Sequence, residues 1–260
     1  MRFFRDIKKY ARYAFFAAKS ELNVEVAGSY LNWLWWVFNP LCMMVIYTII
    51  FGYIFQRSEP YFPVFVFVGL TLWDFFNRTV VASVRIVKAN KNIVKKVYLP
   101  KFILVETSMI VNFIKMLISY VIIVAMLIFF QVPVTPRVIC LIPIMIVEIL
   151  FTFGISTILL HFGVFVEDLK NIVRIILRFV FYATGIFYSI TNRVHNPFWK
   201  NILAHYNPMA FFLTSARNVV LYKTDLEWNW LLIWTVVSIL LCVIGVKLIY
   251  RYENSYAKVI

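Results

Sequence analysis

Glycine is scarce in this chain, seven in 260 residues, and no G-x-x-x-x-G-K-[ST] run occurs. The loop and lysine that cradle nucleotide phosphates are missing, so the chain cannot hold ATP by that device. Cysteine is sparser still. Cys42, Cys140 and Cys242 all lie inside apolar runs, where a thiol behaves as a small hydrophobe, and they define neither a disulfide framework nor a metal site. Acidic residues are also few: 12 Asp and Glu stand against 26 Lys and Arg, a net charge of +14. In a soluble protein that excess would point to nucleic acid. Here most of it falls in short segments beside apolar runs, which makes it a topology signal and an attraction to anionic lipid, with no nucleic-acid partner expected.

What the sequence has in abundance is apolar bulk, 63% hydrophobic and 19% aromatic residues with only 15% charged. A soluble domain carries roughly 45–50% apolar residues, so the expected fold is an all-α integral membrane protein. At about 20 apolar residues per crossing, there is room for six transmembrane helices, at about 33–55, 61–84, 102–130, 138–165, 175–190 and 230–250. Trp33, Trp35 and Trp36 crowd the start of the first as an interfacial belt, and Pro40 is expected to kink it by removing a backbone donor.

Residues 85–101, RIVKANKNIVKKVYLPK, carry Arg85, Lys88, Lys91, Lys95, Lys96 and Lys101 and no acid. Ile86, Asn90, Ile93 or Val94, and Val97 recur at roughly helical spacing, which predicts a short helix stopped at Pro100. Such an arm either meets a cytoplasmic partner or only fixes topology. Residues 1–31 interleave Arg2, Arg5, Lys8, Lys9, Arg12 and Lys19 with aromatics, the composition of an amphipathic helix lying on the cytoplasmic leaflet. Glu167 to Arg178 reads as a second cytoplasmic turn. Eighteen Lys and Arg then lie inside and six outside, so both termini are expected in the cytoplasm.

Charges inside spans are expensive and face a bundle interior or a water-filled cavity. Asp74 and Arg78 are four residues apart, on one helical face, and are expected to neutralise each other, either lining a path or bracing the helix. Lys115 and Glu148 lie at comparable depth on consecutive spans and predict an interhelical pair. Beyond the fifth span, Asn196-Pro197 and Asn207-Pro208 each place a capping Asn before a Pro at the first helical position. They predict two short helices within 191–229 that dip into the outer leaflet and return, sheltered as an outer gate.

Four stretches carry a family resemblance: Ser29 to Pro40 (SYLNWLWWVFNP), Gly69 to Phe76 (GLTLWDFF), Lys96 to Lys101 (KVYLPK) and Asn207 to Arg217 (NPMAFFLTSAR). In their order and spacing the chain resembles, over essentially its full length, the permease subunit of ABC-2 type exporters of polysaccharides and polyol phosphates, the group handling O-antigen and teichoic acid. The resemblance implies a cytoplasmic interfacial helix (1–31) and one permease domain (32–260) in a bacterial cytoplasmic membrane. It also implies a homodimer resting on two copies of a separate P-loop ATPase that binds the ATP and Mg, with no cofactor on this chain. Arg85, Lys88, Lys91, Lys95 and Lys96 would form the coupling loop, with Glu167 and Asp168 as a lesser contact. The helices bearing Asn207, Pro208 and Arg217 would guard the exit. Trp36, Tyr182 and Tyr188, with Asp74 and Arg78, become candidates for the channel, and the substrate would be a glycan or polyol phosphate on undecaprenyl diphosphate. Three other readings share parts of this pattern: a small-molecule exporter, an ion-coupled carrier using Asp74, Glu106 and Glu148, and a membrane glycosyltransferase using His195, His205 and Asp225.

Overall fold

The computed structural model describes residues 2–28, 30–55 and 59–259, which form helices joined by turns with no strand among them. Five helical stretches in this set are long and apolar enough to cross a membrane: 35–54, 62–83, 102–129, 136–165 and 228–256. The most enclosed is α3 (Phe62–Ser83; helices are numbered α1–α12 in chain order). Pro63 sits in its first turn, where a missing donor is harmless. Val64 to Val68 are each at most 1% exposed, so this half is apolar on every side, as a central helix must be. Its hydroxyls are satisfied within the helix, Thr71 donating to the Phe67 carbonyl (2.9 Å) and Thr79 to that of Phe75 (2.8 Å). Asn112 of α6 (Phe102–Phe129) then donates to Thr79 Oγ1 at 3.1 Å, joining the two helices.

Around α3 stand two helix pairs. In the first, α7 (Leu141–Phe165) runs along α12 (Trp228–Val259). His161 Nδ1 meets the Tyr256 hydroxyl at 2.8 Å near one end, the Cys242 thiol reaches the Leu150 carbonyl (3.1 Å) midway, and Phe151 packs edge-on to Trp234. In the second, α1 (Arg2–Val26) lies along α6. Ala14, Ala18 and Leu22, spaced four apart, are its buried stripe, and two alanines among them permit close approach. The flank is α2 (Trp35–Tyr47), which carries Pro40 inside it and continues as a π-helical turn over Thr48–Ile54.

Several sequence expectations are corrected here. The basic arm forms two short helices, α4 (Ile86–Ala89) and α5 (Lys91–Lys96), where one was expected. They part at Asn90, whose side chain donates to the Ile86 carbonyl at 2.8 Å and so competes with backbone bonding. Glu167 to Arg178 is mostly helix, not a turn: α8 runs from Leu169 to Ala183. Its 15 residues reach about 22 Å at 1.5 Å per residue, short of a bilayer core of about 30 Å. It ends before Gly185, whose φ of 73° is the left-handed geometry glycine adopts without strain. The last helix runs on to Val259, nine residues past its expected end at about 250. Of the turn expected from Gln56 to Pro60, residues 56–58 lie outside the described residues.

Between α8 and α12 come α9 (Ile190–Arg193), α10 (Pro197–Asn201), a π-helical turn at Ile202–Tyr206, α11 (Pro208–Arg217) and another π-helical turn at Asn218–Tyr222. Both expected caps form. Asn196 Oδ1 accepts from the Phe198 amide (3.0 Å) and Asn207 Oδ1 from the Ala210 amide (3.3 Å).

Candidate functional site

α8 presents three faces because its residue types recur with helical period. Val173 and Leu177 point inward and are buried; Ile172, Ile175, Ile176 and Phe179 point outward and are exposed; Lys170, Arg174 and Arg178, spaced four apart, form a third stripe. That basic stripe lines a cavity of about 1300 Å³ between α8, α3, the basic arm and α1. Arg78 of α3 and Arg85 of the arm face the same space, while Glu21 and Glu25 of α1 stand on its wall. Five cations and two carboxylates therefore share one chamber. Burial is the first cause holding the Glu21 carboxyl above the ordinary carboxylate range; Glu25 adds to this and Lys115 opposes it.

Arg78 and Glu25 also border an inner cavity of about 360 Å³ reaching Trp36, Asn112 and Lys115. The expected Asp74–Arg78 pair forms at 3.2 Å, and both side chains remain two-fifths exposed to these spaces. The pair therefore stands where the outer chamber meets the inner one. The predicted Lys115–Glu148 pair does not form. The end of α1 carries Glu25 over α6, and Lys115 pairs with it at 2.5 Å while sitting 5.8 Å from the Trp36 ring. Glu148 is left fully buried, with no partner on either carboxyl oxygen.

The other expected site residues fall into three places. Arg85 donates to the Glu167 carbonyl at 3.4 Å and Lys88 pairs with the Glu167 carboxylate at 3.5 Å, so the two predicted cytoplasmic contacts are one surface. Lys91, Lys95 and Lys96 are exposed on α5, and Asp168 is exposed just before α8. Tyr182 lines the large cavity, and the Tyr188 hydroxyl donates to its carbonyl at 3.1 Å across the chain reversal. Asn207 caps α11 and reaches Thr184 Oγ1 at 3.4 Å, with Pro208 at the first helical position.

Arg217 is 3% exposed and spends its donors on three carbonyls: Nε to Phe65 (3.0 Å), Nη1 to Gly185 (2.8 Å) and Nη2 to Ile186 (2.8 Å). Its guanidinium lies 3.5 Å from the centre of the Phe65 ring. Among the described residues no carboxylate pairs with it. Room for it is made by Gly69, where a Cβ would collide with Nη2. One side chain thereby ties α3, α11 and the reversal after α8. Glu59, 7% exposed, does similar work nearby, accepting from Asn192 (3.1 Å) and Tyr222 (3.3 Å).

Two features were legible but missed. The i, i+4, i+8 spacing of Lys170, Arg174 and Arg178 was there to find, but reading 167–178 as a turn hid it. Gly69 belonged to a recognised stretch, and its reason, Arg217 in another such stretch, emerges only in three dimensions. The histidines and acid that a glycosyltransferase would need do not converge, since His205 pairs with Glu227 (2.9 Å) and Asp225 with Arg137 (2.8 Å). Among the described residues no group of three or more His, Cys, Asp or Glu could hold a metal.

The family model for the ABC-2 type transporter matches residues 17–221. An O-antigen export system permease protein, RfbA, of Klebsiella pneumoniae is 27% identical over 241 residues, covering 92% of each chain. The protein of that name from Myxococcus xanthus is 25% identical over 220 residues, 84% of each chain. With the family match running from the middle of α1 through the last π-helical turn, this chain belongs to the ABC-2 type transporter family.

Proposed function

We propose that the protein is the membrane permease subunit of an ATP-driven exporter that moves a lipid-linked polysaccharide, or a teichoic-acid-type polymer, across the bacterial cytoplasmic membrane. The observation that carries this reading is the convergence of Arg78, Arg85, Lys170, Arg174 and Arg178 on one chamber of about 1300 Å³. A diphosphate linked to sugar is anionic at one end and polar at the other, and guanidinium forks match phosphate oxygens bidentately. The three cations of α8 would draw the diphosphate of an undecaprenyl carrier in beside α1. Arg78, held by Asp74, would meet it where the inner cavity opens toward Trp36. Tyr182 would offer a ring face to sugar. The O-antigen export named for the relatives supports the same class of cargo.

In this reading there are six crossings. The sixth is α8 together with the reversal at Gly185, which the five long apolar helices leave uncounted. Residues 191–229 are a re-entrant outer region and both termini are cytoplasmic, with 1–31 as interfacial helix and 32–260 as permease domain. Two copies of the chain assemble with two copies of a P-loop ATPase, which supplies ATP and Mg because this sequence has no phosphate loop. The arm over 85–101, with Glu167 and Asp168 beside it, is the contact that receives the ATPase.

The test is a mild-detergent pull-down of the tagged chain with its partners identified by mass, repeated on Lys95→Glu/Lys96→Glu. The native chain is expected to bring down a P-loop ATPase in stoichiometric amount, and the variant to insert normally while losing export. A chain that comes down alone, or a variant that exports normally, overturns the reading.

One observation favours a rival: Glu148, buried and unpartnered on α7, is the kind of carboxyl an ion-coupled carrier would use. Glutamine has its shape, so Glu148→Gln is expected to leave export intact and to shift stability by less than about 1 kcal/mol, as substitutions that break no contact do. Loss of export with normal folding would favour the carrier.

A further inference from the structure

At the end of the bundle where the arm lies, the first residues of the chain, the exit from the arm and the last helix meet in one polar knot. Arg2 Nη2 donates to the Tyr98 hydroxyl (2.6 Å) and to Glu253 Oε1 (3.0 Å). The Tyr98 hydroxyl in turn donates to the Glu253 carboxylate at 3.1 Å. Arg2 also stacks over the Tyr250 ring at 4.4 Å and lies 3.6 Å from Asp6, which accepts from the Tyr250 hydroxyl at 2.8 Å. The Tyr10 hydroxyl donates to the Tyr98 carbonyl at 3.3 Å. Hydrogen bonding to Glu253 is the main cause raising the Arg2 pKa above its ordinary value.

The side chains differ in how firmly they are held. Glu253 and Asp6 are only 13% and 11% exposed, whereas Arg2 is half-exposed and Val97 and Tyr98 are both exposed. The segment between α5 and α6 turns extended at Val97, whose amide closes the last turn of α5 on the Ile93 carbonyl (3.0 Å). It is held by Leu99 and Pro100, which are buried, by the Tyr10 hydroxyl on the Tyr98 carbonyl, by the Lys101 ammonium on the Leu99 carbonyl (3.0 Å) and by the Glu253 carboxylate on the Tyr98 hydroxyl. A small cleft of about 230 Å³ joins Glu253 to Lys95, Lys96 and Lys101, so the same carboxylate faces the most basic part of the arm.

We propose that Glu253 is a positioning residue for coupling: through Tyr98 it holds the basic arm, and through Arg2 it holds α1, so that movement of the arm is delivered both to the last helix and to the α1 wall of the cationic chamber. The inference rests on the arm being the ATPase contact. Without the knot, the arm could shift against the extended 97–100 segment while α1 stayed in place. With it, α1 and α12 must follow. Neither Arg2 nor Tyr98 touches the chamber, so the effect is on coupling and not on substrate binding.

The experiment uses the intact permease–ATPase complex in proteoliposomes and cells, comparing Glu253→Arg, Arg2→Glu and the pair Arg2→Glu/Glu253→Arg. Each single variant places like charges together and is expected to lower export about tenfold or more, within the span typical of coupling between sites. ATPase co-purification should be unchanged and hydrolysis should continue without export. The charge-swapped pair restores attraction between the two positions but sets the acid beside Asp6 and the cation beside Lys101, so it is expected to recover part of the export, several-fold above either single variant. Tyr98→Phe, which removes the hydroxyl's bonds to both Arg2 and Glu253, is expected to lie between the single variants and the native protein. Normal export in Glu253→Arg, or no recovery in a swapped pair that is as heat-stable as the native protein, would overturn the proposal. Lys95→Glu/Lys96→Glu separates the two layers of argument: if that variant keeps its ATPase and its export, the arm is not the contact, whatever Glu253 does.

Discussion

Arg217→Met is expected to lower the melting temperature of the detergent-solubilised protein by on the order of 10 °C, the largest stability loss of any single side chain in the bundle. Methionine fills similar volume, so the loss isolates the hydrogen bonds. Two buried carbonyls of the reversal, those of Gly185 and Ile186, lose their donor together, and that of Phe65 keeps only the bond of its own helix. Each buried acceptor left unsatisfied costs about 1–3 kcal/mol, and one kcal/mol moves the melting point of a chain this size by about 2–4 °C. Arg217→Lys is expected to rescue only part, because one ammonium cannot reach three carbonyls lying in different directions. Gly69→Ala should cost several degrees by pushing on Nη2, and almost nothing further when combined with Arg217→Met. That sub-additivity marks two residues as sharing one space. Unchanged melting in Arg217→Met would mean that the reversal after α8 is held by packing alone.

The second large effect falls on transport. Arg174→Glu/Arg178→Glu should reduce export about a hundredfold while the protein inserts and retains its ATPase. Two charge-assisted hydrogen bonds to a phosphate, at about 1.5 kcal/mol each, account for a factor of that size. The residues lie on the chamber stripe of α8, Lys91, Lys95 and Lys96 of the arm do not line that chamber, and Val173 and Leu177 are buried on another face, so neither assembly nor folding is expected to suffer. Arg174→Lys/Arg178→Lys should fall between, keeping charge and losing the planar fork. Polymer appearing at the cell surface is the readout. Undiminished export with both charges reversed would place the phosphate elsewhere.

How much of this was legible in sequence depends on whether the signal was local. The long spans were, because a continuous apolar run admits few alternatives: α3, α6 and α7 begin and end within a few residues of their expected limits. The two Asn-Pro caps were also local, since Asn and Pro act on the next turn of their own chain. Asp74 and Arg78 met as expected for the same reason, four residues apart on one helix. What spacing alone could not supply was the partner across space. Lys115 has a carboxylate at similar depth on the next span, yet a helix from the other end of the sequence supplies Glu25 instead. Amphipathic α8 was misread because its charged stripe, which turns inward to a chamber, looks from sequence like a solvent-facing turn. Arg2, Tyr98 and Glu253 are separated by almost the whole chain, and no local pattern brings them together.

The three π-helical turns, Thr48–Ile54, Ile202–Tyr206 and Asn218–Tyr222, share one property of position. All lie at the end of the bundle away from the Arg2–Glu253 knot, next to the start of α3 or in the segment leading into α12. A π turn holds one residue more than the helix it interrupts, and can return it by exchanging a single backbone bond. The bundle is therefore asymmetric in its mechanical slack: one end is pinned by charge, while the other stores spare chain length in three places. Its helices can lengthen or shorten by a residue at that end without any long helix having to break, while the pinned end keeps its register.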